Sequence, residues 1–120
     1  MCSSDLVHVV LFRPRPDLSV SDRDALAHAL REALRTISSI RKATVGRRVT
    51  HGRGYEGLMR IDYQYIALLE FDDVAGLRAY LEHPAHETLA ATFFRSFEEA
   101  LMYDFELEGD LAGLERLGQD

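Results

Sequence analysis

The sequence predicts a single α+β domain with four strands and two helical segments, the second of them broken. Three observations carry this. Four segments are rich in β-branched and aromatic residues without a helical period, and two carry apolar stripes at helical spacing. The order is strand, helix, strand, strand, broken helix, strand, which is a split βαβ pair. The chain has 120 residues, the length of one hydrophobic core.

The first strand is read at residues 5–13, where Leu6, His8, Val10 and Phe12 alternate with Val7, Val9 and Leu11. Both faces are apolar, so the strand is central and covered on both sides. Pro14 and Pro16 end it, because each lacks an N–H for the ladder. Ser21 is read as the N-cap of the first helix, with Asp22 and Asp24 complementing the helix dipole. Its stripe is Leu26, Ala29, Leu30, Ala33, Leu34 and Ile37. The second strand is read at residues 40–50 and, being more polar, at an edge. Three glycines then predict a mobile loop over 51–61.

The third strand is expected over 62–72, with Tyr63, Tyr65, Ala67, Leu69 and Phe71 on one face. Asp72 or Asp73 caps the next helix, whose stripe is Val74, Leu77, Tyr80 and Leu81. His83-Pro84 breaks it, since a residue before proline avoids helical angles, and Pro84 suits the first turn of a new helix. That helix carries His86, Leu89, Ala90, Phe93 and Phe97 on one face. Residues 101–107 form the fourth strand, with Leu101, Tyr103, Phe105 and Leu107 on one side. Residues 1–108 are thus read as the domain. Residues 109–120 form a tail with Leu111, Leu114 and Leu117 at short helical spacing.

The topology so predicted is ferredoxin-like, βαββαβ, with both helical segments on one face of the sheet. The opposite face then displays His8 or its neighbours, tyrosines and aliphatic residues. A monomer rarely leaves so large an apolar patch in water, so the pattern predicts a homodimer packed sheet to sheet.

Composition narrows the function. Fourteen basic side chains face twenty acidic ones, a net charge of −6, which argues against a nucleic-acid partner. No apolar run is long enough to span a bilayer, and residues 1–5 lack the pattern of a signal peptide, so no membrane partner is expected. Cys2 is the sole cysteine, which fits a cytoplasmic protein without disulfides. There is no Gly-x-Ser-x-Gly, no Cys–His arrangement and no dinucleotide fingerprint. His83 and His86 form a His-x-x-His pair with His8 as a conceivable third ligand. Nothing else has ligand spacing, so no metal is expected. No cofactor is expected either, although haem and flavin leave no motif that would exclude them.

The stretch from Leu77 to His86 is the most informative, with Tyr80, His83, Pro84 and His86 in the pattern Tyr-x-x-His-Pro-x-His. It resembles the signature of the stress-responsive dimeric α/β-barrel (Dabb) family. Val7 to Phe12, with His8 early in the strand, Val45-Gly46, Glu70-Phe71 and Tyr103-Asp104-Phe105 resemble further family pieces in the same order. Together they cover about residues 6–107. The resemblance implies two ferredoxin-like protomers forming one dimeric α/β barrel, each with a cavity between sheet and helices. Some members are plant stress proteins; one is a polyketide cyclase that closes an aromatic ring by intramolecular aldol condensation. The tyrosine and histidine of that cyclase match Tyr80 and His86, and its first-strand histidine matches His8. Tyr65 stands where it has a further pocket histidine.

The residues admit this chemistry and simpler readings beside it. A neutral imidazole accepts a proton near neutral pH, and a phenol polarises a carbonyl oxygen. His86 is therefore the candidate base and Tyr80 the candidate oxygen donor, with His8, Tyr65, His83 and Phe93 as candidate substrate-binding residues. Equally, Tyr80 and the Phe93-Phe94-Phe97 group fit a core, His86 a helix cap, His83 a bond to a carbonyl at the bend, and His8 a hydrogen-bonded core residue. His28 and His51 read as solvated. Arg47, Arg48, Arg53 and Arg60 read as a solvated rim or, alternatively, as a clamp for an anion at the pocket mouth. The function expected is binding of a small, largely apolar organic molecule, with acid–base chemistry on a carbonyl compound if it turns that molecule over. The alternatives are a non-enzymatic stress or assembly protein and a cofactor-free monooxygenase.

Overall fold

A computed structural model describes residues 5–109 and 111–119, so Cys2 lies outside the described residues. The chain runs β1 (Asp5–Pro14), α1 (Val20–Thr36), β2 (Lys42–Arg47), β3 (Tyr65–Phe71), α2 (Val74–Glu82), α3 (Pro84–Ser96) and β4 (Phe97–Leu107). The strands form one antiparallel sheet in the order β2-β3-β1-β4. This is the ferredoxin-like topology read from the sequence. β1 is central and β2 is an edge.

Register decides what each face offers. Cross-strand partners point to the same side of a sheet. His8 is opposite Leu69 on β3 and Asp104 on β4, and Val10 is opposite Ala67 and Met102. These residues face the helices. Leu6, Val10, Phe12, Leu69 and Phe71 form the core with Ala29, Ala33 and Ile37 of α1, Tyr80 of α2 and Leu89 of α3. On the other side Val9 lies between Leu68 and Tyr103, and Leu11 between Ile66 and Leu101. Among the described residues no α-helix covers that face, and Tyr103, Phe105 and Leu107 are exposed on it. His8 therefore belongs to the covered face, not the open one. The even positions of β1 carry the core, which sends its odd positions outward.

Several boundaries differ from expectation, each for a local reason. The N-cap of α1 is Ser19, whose hydroxyl accepts from the Asp22 N–H at 3.0 Å; Ser21 is already inside the helix. Asp73 caps α2 by accepting from the Gly76 N–H at 2.9 Å, which decides between it and Asp72. β2 stops at Arg47 and β3 begins at Tyr65 because their ladder ends there. The loop between them is not free chain: Gly54–Leu58 makes a 3₁₀ turn, and the Glu56 carboxylate accepts from the His51 and Gly52 N–H groups at 2.7 and 2.8 Å. Gly52 sits at φ 84°, where a side chain would be strained. β4 starts at Phe97, four residues earlier than expected, directly after α3. Phe97 opposes Pro14, so it closes the sheet instead of continuing the helical stripe.

Candidate functional site

The helical layer does not fill the space above the sheet. A cavity of about 550 Å³ lies between β1 and β3 below and α1, α2 and α3 above. Its floor is His8, Val10, Phe12, Ala67 and Leu69; Leu26, Leu30, Leu89, Ala90, Phe93 and Phe94 belong to its walls. Almost all of this lining is apolar. Among the polar exceptions, His8, Tyr80 and His86 meet at one place; Arg23 and Tyr65 are the others.

Local sequence explains that meeting. α2 buries Leu77 and Tyr80 on its inward face. His83-Pro84 then breaks the helix, and the chain restarts as α3. His83 is the N-cap of α3: its Nδ1 accepts from the Ala85 N–H at 3.0 Å. The ring is thus committed to an N–H, not to a carbonyl at the bend, and it is not part of the cavity lining. The bend lets His86 come back beside Tyr80, with ring centroids 4.7 Å apart in an edge-on contact. Tyr80 also touches His8, at 5.8 Å, and Phe71, at 5.4 Å. His8 Nδ1 lies 2.6 Å from Asp104 Oδ1. Asp104, His8, Tyr80 and His86 therefore form a continuous row, of which the last three line the cavity.

Asp104 is a site residue that sequence reasoning missed as a role, although it sits in a quoted family piece. Half of its signal is in the alternation, which turns Asp104 inward if Tyr103 and Phe105 face outward; the register that sets it opposite a buried histidine is seen only in the fold. A carboxylate on Nδ1 orients an imidazole and leaves the other nitrogen for a ligand. His8 Nε2 has no protein partner among the described residues. His8 is thus both hydrogen-bonded and part of the cavity floor.

Burial sets the protonation states. The Tyr80 phenol is pushed up to about 12, first by burial and then by the Asp104 carboxylate. It stays a neutral donor at physiological pH, and its hydroxyl has no protein partner among the described residues. His86 is held below the ordinary histidine value, first by burial and then by nearby His8; the Leu81 backbone and Glu87 oppose this. It is therefore the neutral, proton-accepting form at neutral pH.

A pH dependence follows. Because the folded-state value of His86 is depressed, the unfolded chain takes up the proton first as pH falls. Its contribution to stability is complete above the ordinary histidine value and is lost as pH falls through the depressed one. Melting temperature should drop between about pH 7.5 and about pH 5, and His86→Gln should shrink the drop. An unchanged drop in the variant would assign it to other groups.

Of the other sequence candidates, Phe93 lines the cavity and Tyr65 stands at its edge, stacked at 5.7 Å on Phe12. His28 and His51 are exposed. Arg47, Arg48 and Arg60 line a different depression beside the 3₁₀ turn, and Arg53 lines neither. The anion clamp considered at the cavity mouth is not formed by these arginines; Arg23 of α1 is the cation in that lining. Among the described residues no group of three or more His, Cys, Asp or Glu could hold a metal ion. Among them, too, no helix is long and apolar enough to cross a membrane.

Comparison with known proteins places this geometry. The family model described as the stress responsive A/B barrel domain matches residues 6–107. The chain belongs to this family. A search of curated proteins found no match. Solved structures share the fold. A dimeric ferredoxin-like protein of unknown function from Thermobifida fusca is 21% identical with a TM-score of 0.67, over 88% of this chain and 92% of that one. A Dabb family protein from Mesorhizobium loti is 19% identical with a TM-score of 0.68, over 89% and 100% of the two chains. Hydroxynitrile lyase from Passiflora edulis is 16% identical with a TM-score of 0.71, over 88% and 95%. Dimeric ferredoxin-like proteins from Bacteroides fragilis and Jannaschia also match.

Proposed function

We propose that this Dabb protein is a cytoplasmic homodimer whose protomer cavity binds a small, largely apolar organic molecule and carries out acid–base chemistry on its carbonyl carbon skeleton. The observation that carries the reading is the row of His8, Tyr80 and His86 in a mostly apolar cavity. The size, about 550 Å³, is that of small-molecule sites. Dimeric neighbours of the same fold and the uncovered apolar sheet face support the homodimer.

The chemistry follows from the groups. The ligand's apolar body lies against Leu89, Phe93 and Leu26, and its carbonyl oxygen accepts from the Tyr80 hydroxyl. His86 takes a proton from the carbon next to the carbonyl, and Tyr80 holds the oxygen as negative charge develops there. The resulting enolate can attack a second carbonyl in the same molecule, closing a ring, or take a proton back. Asp104 orients His8, which completes the polar wall. A solved neighbour acts as a hydroxynitrile lyase, which shows that this fold can house an enzyme, at an identity too low to carry over the substrate.

The test uses 4-phenylbutan-2-one, a small aromatic ketone with exchangeable hydrogens beside its carbonyl. In heavy water the protein should catalyse hydrogen–deuterium exchange at those positions, read by proton NMR. His86→Ala should lower the rate by about 10²–10⁴-fold with the fold intact. Tyr80→Phe should weaken ketone binding by about 3- to 10-fold, the loss of one hydrogen bond. Absence of ketone binding, or exchange indifferent to His86, would refute the reading.

A further inference from the structure

We propose that the segment following β4 docks, in the dimer, into a groove on the partner protomer. The groove is the depression of about 780 Å³ beside the 3₁₀ turn, where Leu58, Met59, Ile61 and Tyr63 approach the sheet near Arg47 and Arg60. Leu58 and Met59 are exposed in it. Arg48 is paired with Asp62 at 2.6 Å, whereas Arg47 and Arg60 have no ionic partner among the described residues. The site is an apolar trough with two free cations.

The segment has the complementary character. Ala112–Arg116 is a 3₁₀ turn, with Leu111 and Leu117 flanking it. At three residues per turn, positions three apart stand in line. The N–H of Leu114 donates to Leu111 and that of Leu117 to Leu114, which sets the three leucines in one row. They are 69%, 57% and 74% exposed on their own protomer. Beside them Glu106, Glu108 and Glu115 are acidic, and Glu108 pairs with Arg116, the one basic side chain among the described residues of the segment. An apolar ridge flanked by carboxylates thus meets an apolar trough flanked by guanidinium groups.

Position decides which copy supplies it. β4 leaves the sheet at Leu107, opposite Asp5, while the groove touches the sheet at Glu99, Leu101 and Leu11, toward its other end. The six residues from Leu101 to Leu107 span about 20 Å. To reach its own groove the segment would have to run back across the open sheet face, which the partner sheet covers in the dimer. The partner's groove opens at the border of that same interface, since Leu11, Ile66 and Leu101 of its lining belong to the open face. The inference therefore rests on the homodimer reading above.

The experiment uses the full chain with Cys2→Ser. One copy carries Met59→Cys, and a second, tagged to differ in mass, carries Leu114→Cys. Co-expressed and treated with a short bismaleimide, they should yield a crosslinked pair containing one of each, lost on adding Arg60→Glu to the first copy. A chain carrying both cysteines should give interchain and not intrachain product. Light scattering on the same samples reports the dimer separately. No mixed product in a dimeric sample, or an intrachain product, overturns the docking and leaves the dimer standing. A monomeric sample overturns both.

Discussion

Val9→Glu should turn the proposed homodimer into a folded monomer. Val9 is on the central strand, between Leu68 and Tyr103, on the sheet face that no helix covers. In a two-fold interface each change occurs twice on the same patch. The variant would bury two carboxylates among Leu11, Leu68, Leu101 and Phe105 with no cation opposite them. An unpaired buried charge costs about 3–5 kcal/mol, enough to shift dissociation by more than about a hundredfold. Within the protomer the same side chain reaches water, so the fold survives. Light scattering at micromolar concentration should give 13.6 kDa for the variant and twice that for the parent, with matching circular dichroism. A variant that stays dimeric would place the interface elsewhere.

That prediction rests on β1, where the sequence was most legible. Its two apolar faces required cover on both sides, and alternation separated Leu6, His8, Val10 and Phe12 from Val7, Val9 and Leu11. Which set faced the helices was less legible. It depends on the strands beside β1, and pairing joins residues far apart in sequence. Asp104 shows the same limit: its partner His8 is 96 positions away. The Tyr80–His86 contact was readable because a proline break sits between them and both belong to neighbouring helical stripes. His83, three positions from His86, differs only in falling at the bend, where its ring finds the Ala85 N–H. The boundary shifts at Ser19 and Phe97 have one origin. Ser19 and Ser21 are both competent caps, and Phe97 suits a helical stripe or a strand. Only the surroundings, the Asp22 N–H in one case and Pro14 in the other, choose between them.

Phe71→Ala should be the most damaging single change to the protomer. Phe71 is 0% exposed, sits on β3 opposite Leu6, and packs its ring 5.4 Å from Tyr80. Removing a buried phenyl ring loses its transfer free energy and leaves a void that a sheet cannot collapse around, about 3–5 kcal/mol. Total stability of a domain this size is about 5–15 kcal/mol, so the variant is expected to lose about a fifth of it or more. Each kcal/mol lowers the melting temperature of such a domain by about 3–6 °C, which calorimetry would read directly. Tyr80→Phe supplies the contrast. It deletes only a hydroxyl that no protein group satisfies, so its melting temperature should stay within a few degrees of the parent, by about 0.5 kcal/mol or less. Below its own transition Phe71→Ala should also bind the aromatic ketone more weakly, because the void lets the Tyr80 ring drop away from His86. A melting temperature unmoved by Phe71→Ala would mean that Tyr80 is held by the helices alone, and that the sheet has no part in aiming its hydroxyl.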